Sequence, residues 1–185
     1  MDGARWAGLG ALLGVVIYAV RHADATGQAP DAALSAAGRR AVEALVPVLA
    51  RREIRRVVSS PHLRARETVA PFAASAGLAI AEDARLRERE HGAVPEGRWA
   101  EEAEILFGDW DAEPWGGESL AAAAARGAAA IEGAADGTLF ATHGLLLTLI
   151  LGAYGREVSI PVWRAMPRPA LFELGPGTWR EIELG

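Results

Sequence analysis

Four side chains in this 185-residue chain could together do chemistry: Arg21 and His22, adjacent in sequence, then Arg64 and His143. His22 follows the β-branched apolar run that ends at Val20, and His143 follows Thr138-Leu-Phe-Ala-Thr142. Both runs read as strands, and an open α/β sheet collects its ligands at the carboxyl ends of strands. Arg64 falls just past another strand and flanks the same edge as Arg21. Two imidazoles and two guanidiniums around one point suit a dianionic phosphoryl group. The planar fork of arginine binds phosphate oxygens two at a time and stabilises the charge that develops on them. A histidine held among cations stays neutral and can act as a nucleophile.

Positioning these groups requires a sheet. Gly14 to Val20 is continuous and apolar, the pattern of a central strand covered on both faces. Leu34 to Arg52 has helical spacing, with Ser35 as its N-cap, and Pro47 is expected to kink it or end it early. Ile54–Val58 predicts a second strand, Arg64–Ala76 a second helix ended by Gly77, and Leu78–Ile80 a short third strand. Residues 84–118 break the pattern with charge, Gly, Pro and three Trp, and so long an excursion is usually functional. Ser119–Glu132 predicts an Ala-rich helix, Thr138–Thr142 a strand, Gly144–Tyr154 a helix, and Ala170–Leu184 a hairpin around Gly175-Pro-Gly177. Strands alternating with helices predict a three-layer α/β/α sandwich with a mostly parallel central sheet.

Bulk composition narrows the function classes. At 51% hydrophobic and 23% charged, residues 1–185 suit a single globular domain large enough to bury a core. A net charge of -5 argues against nucleic-acid binding. With no cysteine there is no disulfide, thiol nucleophile or thiolate metal site, which fits a cytoplasmic protein. No two of the four histidines have the i, i+4 spacing of helical zinc ligands, and the arginines would repel a cation, so no metal is expected. Trp6–Val20 is an apolar run of fifteen residues, short of the roughly 20 that span a membrane. It has the length of a signal-peptide core, but its charged flank is weak and cleavage would threaten Arg21-His22. Residues 1–13 are therefore read as a possible N-terminal extension, and no membrane partner is expected.

Five blocks then carry a specific resemblance. Tyr18-Ala-Val-Arg-His-Ala23 is similar to a strand followed by Arg-His-Gly. Ser59-Ser-Pro-His-Leu-Arg-Ala65 with Thr68 matches Ser-Pro-x-x-Arg-Ala-x-x-Thr, and Leu86-Arg-Glu-Arg-Glu-His-Gly92 matches Leu-x-Glu-x-x-x-Gly. Gly117-Glu-Ser119 with Arg126, and Ala141-Thr-His-Gly144, complete the set in order. Together they resemble the histidine phosphatase superfamily, the phosphoglycerate mutase-like clan.

The resemblance implies a role for each matching position. His22 would be the phosphorylated nucleophile, and Arg21, Arg64 and His143 would hold the phosphoryl oxygens. Glu88 would be the proton donor, chosen over Glu90 by the frame of Leu86 and Gly92. Gln28 falls where relatives place a phosphate-touching Asn, and Thr142 where Ser is common, so both are expected at the phosphate. Ala23 replaces the usual Gly, and its Cβ is expected to narrow the pocket or exclude a positive φ. The implied activity is hydrolysis of small phosphate monoesters through a phosphohistidine, with no cofactor, by a monomer or homodimer. The alternatives are a cofactor-dependent phosphoglycerate mutase-type phosphotransferase, a protein phosphohistidine phosphatase, or an inactive binding relative. Mutase-type relatives carry a long insertion after the acid block, whereas here Glu88 and Glu118 are thirty residues apart. The acid-rich stretch 96–113 is expected to disfavour highly phosphorylated substrates and to prefer one phosphate on an apolar or neutral body.

Overall fold

A computed structural model describes residues 14–184, so the possible extension at 1–13 lies outside the described residues. β1 (Ile17–Arg21) is the pivot of the sheet. Ile17 and Ala19 pack into one apolar cluster, and Tyr18 and Val20 into another on the opposite face. Both faces are covered, which is why the run is apolar without alternation. β1 lies parallel to β4 (Thr138–Thr142) and antiparallel to β5 (Ala170–Gly175). β2 (Arg56–Ser59) and β3 (Ile80–Glu82) extend the parallel part beyond β4, and β6 (Thr178–Ile182) closes the other edge as a hairpin with β5. The sheet order is β3-β2-β4-β1-β5-β6.

Helices cover both faces. α1 (Ala36–Ala50) and α2 (Leu63–Ala76) pack Leu45, Leu49, Val69 and Phe72 onto Val20, Val57 and Leu139. α4 (Leu120–Ile131) and α5 (Gly144–Gly152) pack Ile131, Leu146 and Ile150 onto Ala19, Phe140 and Phe172. Every residue of α5 is buried, which accounts for its apolar composition all round. α3 (Trp99–Gly108) and α6 (Ile160–Ala165) meet outside it, where Phe107 stacks on Trp163 at 6.1 Å. The result is the expected α/β/α sandwich.

Element boundaries depart from expectation where side chains or caps capture backbone groups. The first strand begins at Ile17, not Gly14, because Asp136 Oδ1 accepts the Val16 N–H at 2.8 Å and Gly14 has φ +80°. The third strand starts at Ile80 because Leu78 N–H donates back to Ala73 in the α2 cap at Gly77. Ser35 caps α1 through Gly38 N–H, as expected, while Pro47 is absorbed and the helix runs on to Ala50. α3 corrects the reading of 84–118 as a break in the regular pattern, and α6 occupies a stretch that the sequence pattern leaves unassigned.

Candidate active site

The ends of β1, β2 and β4 bring Arg21, His22, Arg64 and His143 together, all of them buried. His22 Nδ1 lies 2.7 Å from its neighbour's carbonyl, Ala23 O. A carbonyl only accepts, so Nδ1 carries the proton and Nε2 keeps its lone pair. Arg64 Nε–H donates into that lone pair at 3.2 Å, which agrees with this tautomer. Burial, and then the guanidiniums of Arg64, Arg21 and Arg168, pull the His22 pKa down to about 3 against the opposing Ala23 hydrogen bond. His22 is thus a neutral imidazole with its unprotonated nitrogen aimed among cations.

His143 lies at the end of β4, its ring centroid 5.1 Å from that of His22. Its Nε2 is 2.8 Å from Ser60 Oγ. Ser60 Oγ accepts the His62 N–H at 3.3 Å and has one hydrogen to give; with that hydrogen donated to His143 Nε2, His143 carries its proton on Nδ1. That Nδ1 is buried and has no partner among the described residues; the same holds for Arg21 Nε. Both are donors that a bound anion would satisfy. Burial, reinforced by His22 and Arg64, holds His143 well below its ordinary pKa.

The arginines are fixed from behind. Arg64 Nη1 donates to Gln28 O and Ala29 O at 3.1 and 2.9 Å. Gln28 therefore meets the site through its backbone, while the residue itself is exposed. Arg21 donates to the Met166 carbonyl and lies flat against Gly144, where an added Cβ would stand 2.8 Å from its Cζ. Desolvation and then Arg168 lower the Arg21 pKa to about 10, which leaves it charged at neutral pH.

Ala23 is accommodated without strain. It packs with Leu34 and Val42, its N–H donates to Thr68 Oγ1 at 2.9 Å, and its φ lies outside the left-handed region. Thr142 donates its hydroxyl to Leu86 O at 2.8 Å. That bond leaves no hydrogen for a phosphate oxygen, so Thr142 ties β4 to the acid block instead.

Glu88 sits over the N-terminus of α5. Its Oε1 accepts from Leu146 N and Arg89 N at 2.9 and 3.0 Å, and its Oε2 from Leu145 N at 3.0 Å. The buried side chain of Leu86 anchors this loop in the core two residues earlier. Behind it, Glu118 and Arg126 form a bidentate pair, and Arg126 also donates to Arg85 O and Arg87 O. Gly117 has no room for a Cβ, which would lie 2.6 Å from Gly92 N and 2.9 Å from Arg89 Nη2. Ser119 caps α4. The Gly-Glu-Ser block is thus a clamp on the loop that carries Glu88. Glu90 points away into a pair with Arg87 at 3.1 Å.

Two of the groups that shape the site, Met166 and Arg168, lie outside every sequence block, and a third, Ser60, lies in the Ser-Pro block without a role assigned to it there. Ser60 orients His143, the Met166 carbonyl holds Arg21, and Arg168 lowers the pKa of Arg21, His22 and Arg64 from the β5 side. His62, at the N-cap of α2, stacks edge-on to His143 at 4.9 Å. Among the described residues no three His, Cys, Asp or Glu side chains form a group that could hold a metal ion.

The neutral histidines have a consequence for stability. Their folded-state pKa values lie below that of an unfolded histidine, so the unfolded chain binds more protons once the pH falls below about 6.5. Their contribution is present above that pH and is lost progressively as the pH falls, for His22 towards pH 3. The urea midpoint is expected to fall between pH 7 and pH 5, and to fall less in His22→Asn; an equal fall in both proteins would exclude this origin.

The sequence profile described as the histidine phosphatase superfamily (branch 1) matches residues 17–171. No curated protein gives a significant match. Among solved structures, a mycobacterial glucosyl-3-phosphoglycerate phosphatase is similar with a TM-score of 0.70 at 24% identity, over 91% of this chain and 97% of that one. The same phosphatase in complex with inorganic phosphate matches at 0.69 and 26%, over 91% and 96%. A putative α-ribazole-5'-P phosphatase from Escherichia coli K-12 matches at 0.70 and 20%, over 91% and 95%. Most of the chain, including both histidine strands and the blocks between them, falls within the matched profile: it belongs to branch 1 of the histidine phosphatase superfamily.

Proposed function

We propose that this histidine phosphatase hydrolyses small phosphate monoesters in two steps without a metal. In the first, His22 Nε2 attacks phosphorus, the bond from phosphorus to the ester oxygen breaks, and Glu88 gives the leaving oxygen its proton. In the second, water attacks phosphorus, Glu88 takes its proton, and the N–P bond breaks to release phosphate and neutral His22. Arg21, Arg64 and His143 Nδ1–H supply positive charge and donors to the phosphoryl oxygens throughout. Glu88 Oε1 is filled by two N–H donors and Oε2 by one, so Oε2 is the oxygen with a lone pair left for the proton.

The observation that carries this reading is the tautomer of His22: a neutral ring, its lone pair held among two guanidiniums by a carbonyl behind it. The short connection from Glu88 to Glu118 favours hydrolysis over mutase-type transfer, since it leaves no long insertion to shield the intermediate from water. The phosphatases named among the structural neighbours, for glucosyl-3-phosphoglycerate and α-ribazole-5'-phosphate, support a small-molecule ester over a protein substrate.

The test is turnover of an aryl phosphate and a panel of metabolite monoesters in EDTA, with an alkaline quench and mass spectrometry of the peptide carrying His22. Phosphohistidine at His22 during turnover is expected. Turnover without phosphate on that peptide would overturn the covalent route.

A further inference from the structure

Arg168 lies in the connection between α6 and β5, two residues past the Met166 carbonyl that holds Arg21. The antiparallel register pairs Arg21 with Ala170, so residue 168 runs past the carboxyl end of β1, alongside the segment that follows His22. Its side chain is 45% exposed, and its ion pair, with Asp24 Oδ1, is long at 3.8 Å, with Asp24 also 45% exposed. Asp24 Oδ2 is engaged more closely by the Ser35 hydroxyl at 2.6 Å. The charge of Arg168 nonetheless reaches Arg21, His22 and Arg64. Arg21 and Arg64 are buried and fixed from behind, whereas Arg168 is a half-exposed guanidinium on a loose tether at the mouth of the same site.

Resting on the phosphatase reading above, we infer that Arg168 is a specificity residue that leaves Asp24 to bind a second anionic group, a carboxylate, on the alcohol side of the ester. This reverses the preference for a neutral body expected from the acid-rich stretch 96–113. Of those acids, Glu102 is buried against Arg89 and His91, and Glu101 is paired with Arg98, so the local charge is smaller than the sequence suggests. Arg168 adds a cation that no motif announces.

Phosphoglycolate and 2-hydroxyethyl phosphate differ only in a carboxylate for a hydroxymethyl group. Their competitive Ki values against aryl phosphate hydrolysis give the test in wild type, Arg168→Ala and Arg168→Lys. Wild type is expected to bind phosphoglycolate about tenfold more tightly, Arg168→Ala to lose most of that ratio, and Arg168→Lys to keep part of it. An absent preference in wild type, or an Arg168→Ala effect equal on both compounds, would overturn the inference; the second result would place Arg168 on the phosphoryl group. Failure of the wild-type protein to hydrolyse aryl phosphate at all would strike the phosphatase reading, and this inference would fall with it.

Discussion

Replacing His22 with asparagine is expected to lower kcat on p-nitrophenyl phosphate by at least about 10³-fold while leaving the fold in place. Asparagine is the more discriminating substitution. Its amide can still donate to Ala23 O as Nδ1 does, so the end of β1 keeps its hydrogen bond. What it lacks is a basic nitrogen where Nε2 now meets Arg64 Nε at 3.2 Å. The rest of the charge cluster survives, so phosphate should still bind, and a Ki for inorganic phosphate near the wild-type value separates lost chemistry from lost structure. Neither Glu88, tied to α5, nor Ser60, bonded to His143, stands ready to replace His22 as nucleophile. Wild-type turnover in His22→Asn would refute nucleophilic catalysis by this residue.

Local spacing made much of this site readable. Arg21, His22 and His143 sit where strands end, and strand ends follow from apolar runs of five to seven residues. Arg64 lies one residue into the helix that follows β2, so its place was fixed by the same counting. The groups that refine the site were hidden for a physical reason. Arg168 and Met166 reach it only because β5 returns antiparallel to β1, a pairing of residues almost 150 positions apart that no local pattern encodes. Gln28 and Thr142 differ from expectation in another way. Their side-chain chemistry suggested phosphate, but one meets Arg64 through its carbonyl and the other spends its hydroxyl on Leu86. Backbone contacts are independent of side-chain identity, so a motif cannot announce them. α3 escaped because its first turns mix Trp and Glu, and because it rests on partners, Arg89 beneath Glu102 and Trp163 beside Phe107, contributed from elsewhere in the chain.

Glu88→Gln separates the second catalytic role from a structural one. Loss of the proton donor should reduce kcat on an alkyl phosphate, a poor leaving group, by about 10²–10³-fold and on p-nitrophenyl phosphate far less, because nitrophenolate departs without a proton. The substitution also has a structural cost. Glutamine can offer its oxygen to Arg89 N–H and Leu146 N–H, but its NH₂ then faces the Leu145 N–H now satisfied by Oε2, donor against donor. A structural effect of that kind would shift the acid loop and slow both substrates alike, so the ratio of the two losses is the decisive quantity. A large ratio assigns Glu88 the proton. Equal losses would make it a strut between the acid block and the first turn of α5, and the search for the acid would turn to His62, whose ring lies edge-on to that of His143. There burial, with Arg64 and Arg87 beside it, lowers the pKa, so His62 would hold a proton poorly at neutral pH. The alkyl phosphate rate of His62→Gln is therefore expected to stay within a few-fold of wild type while that of Glu88→Gln collapses.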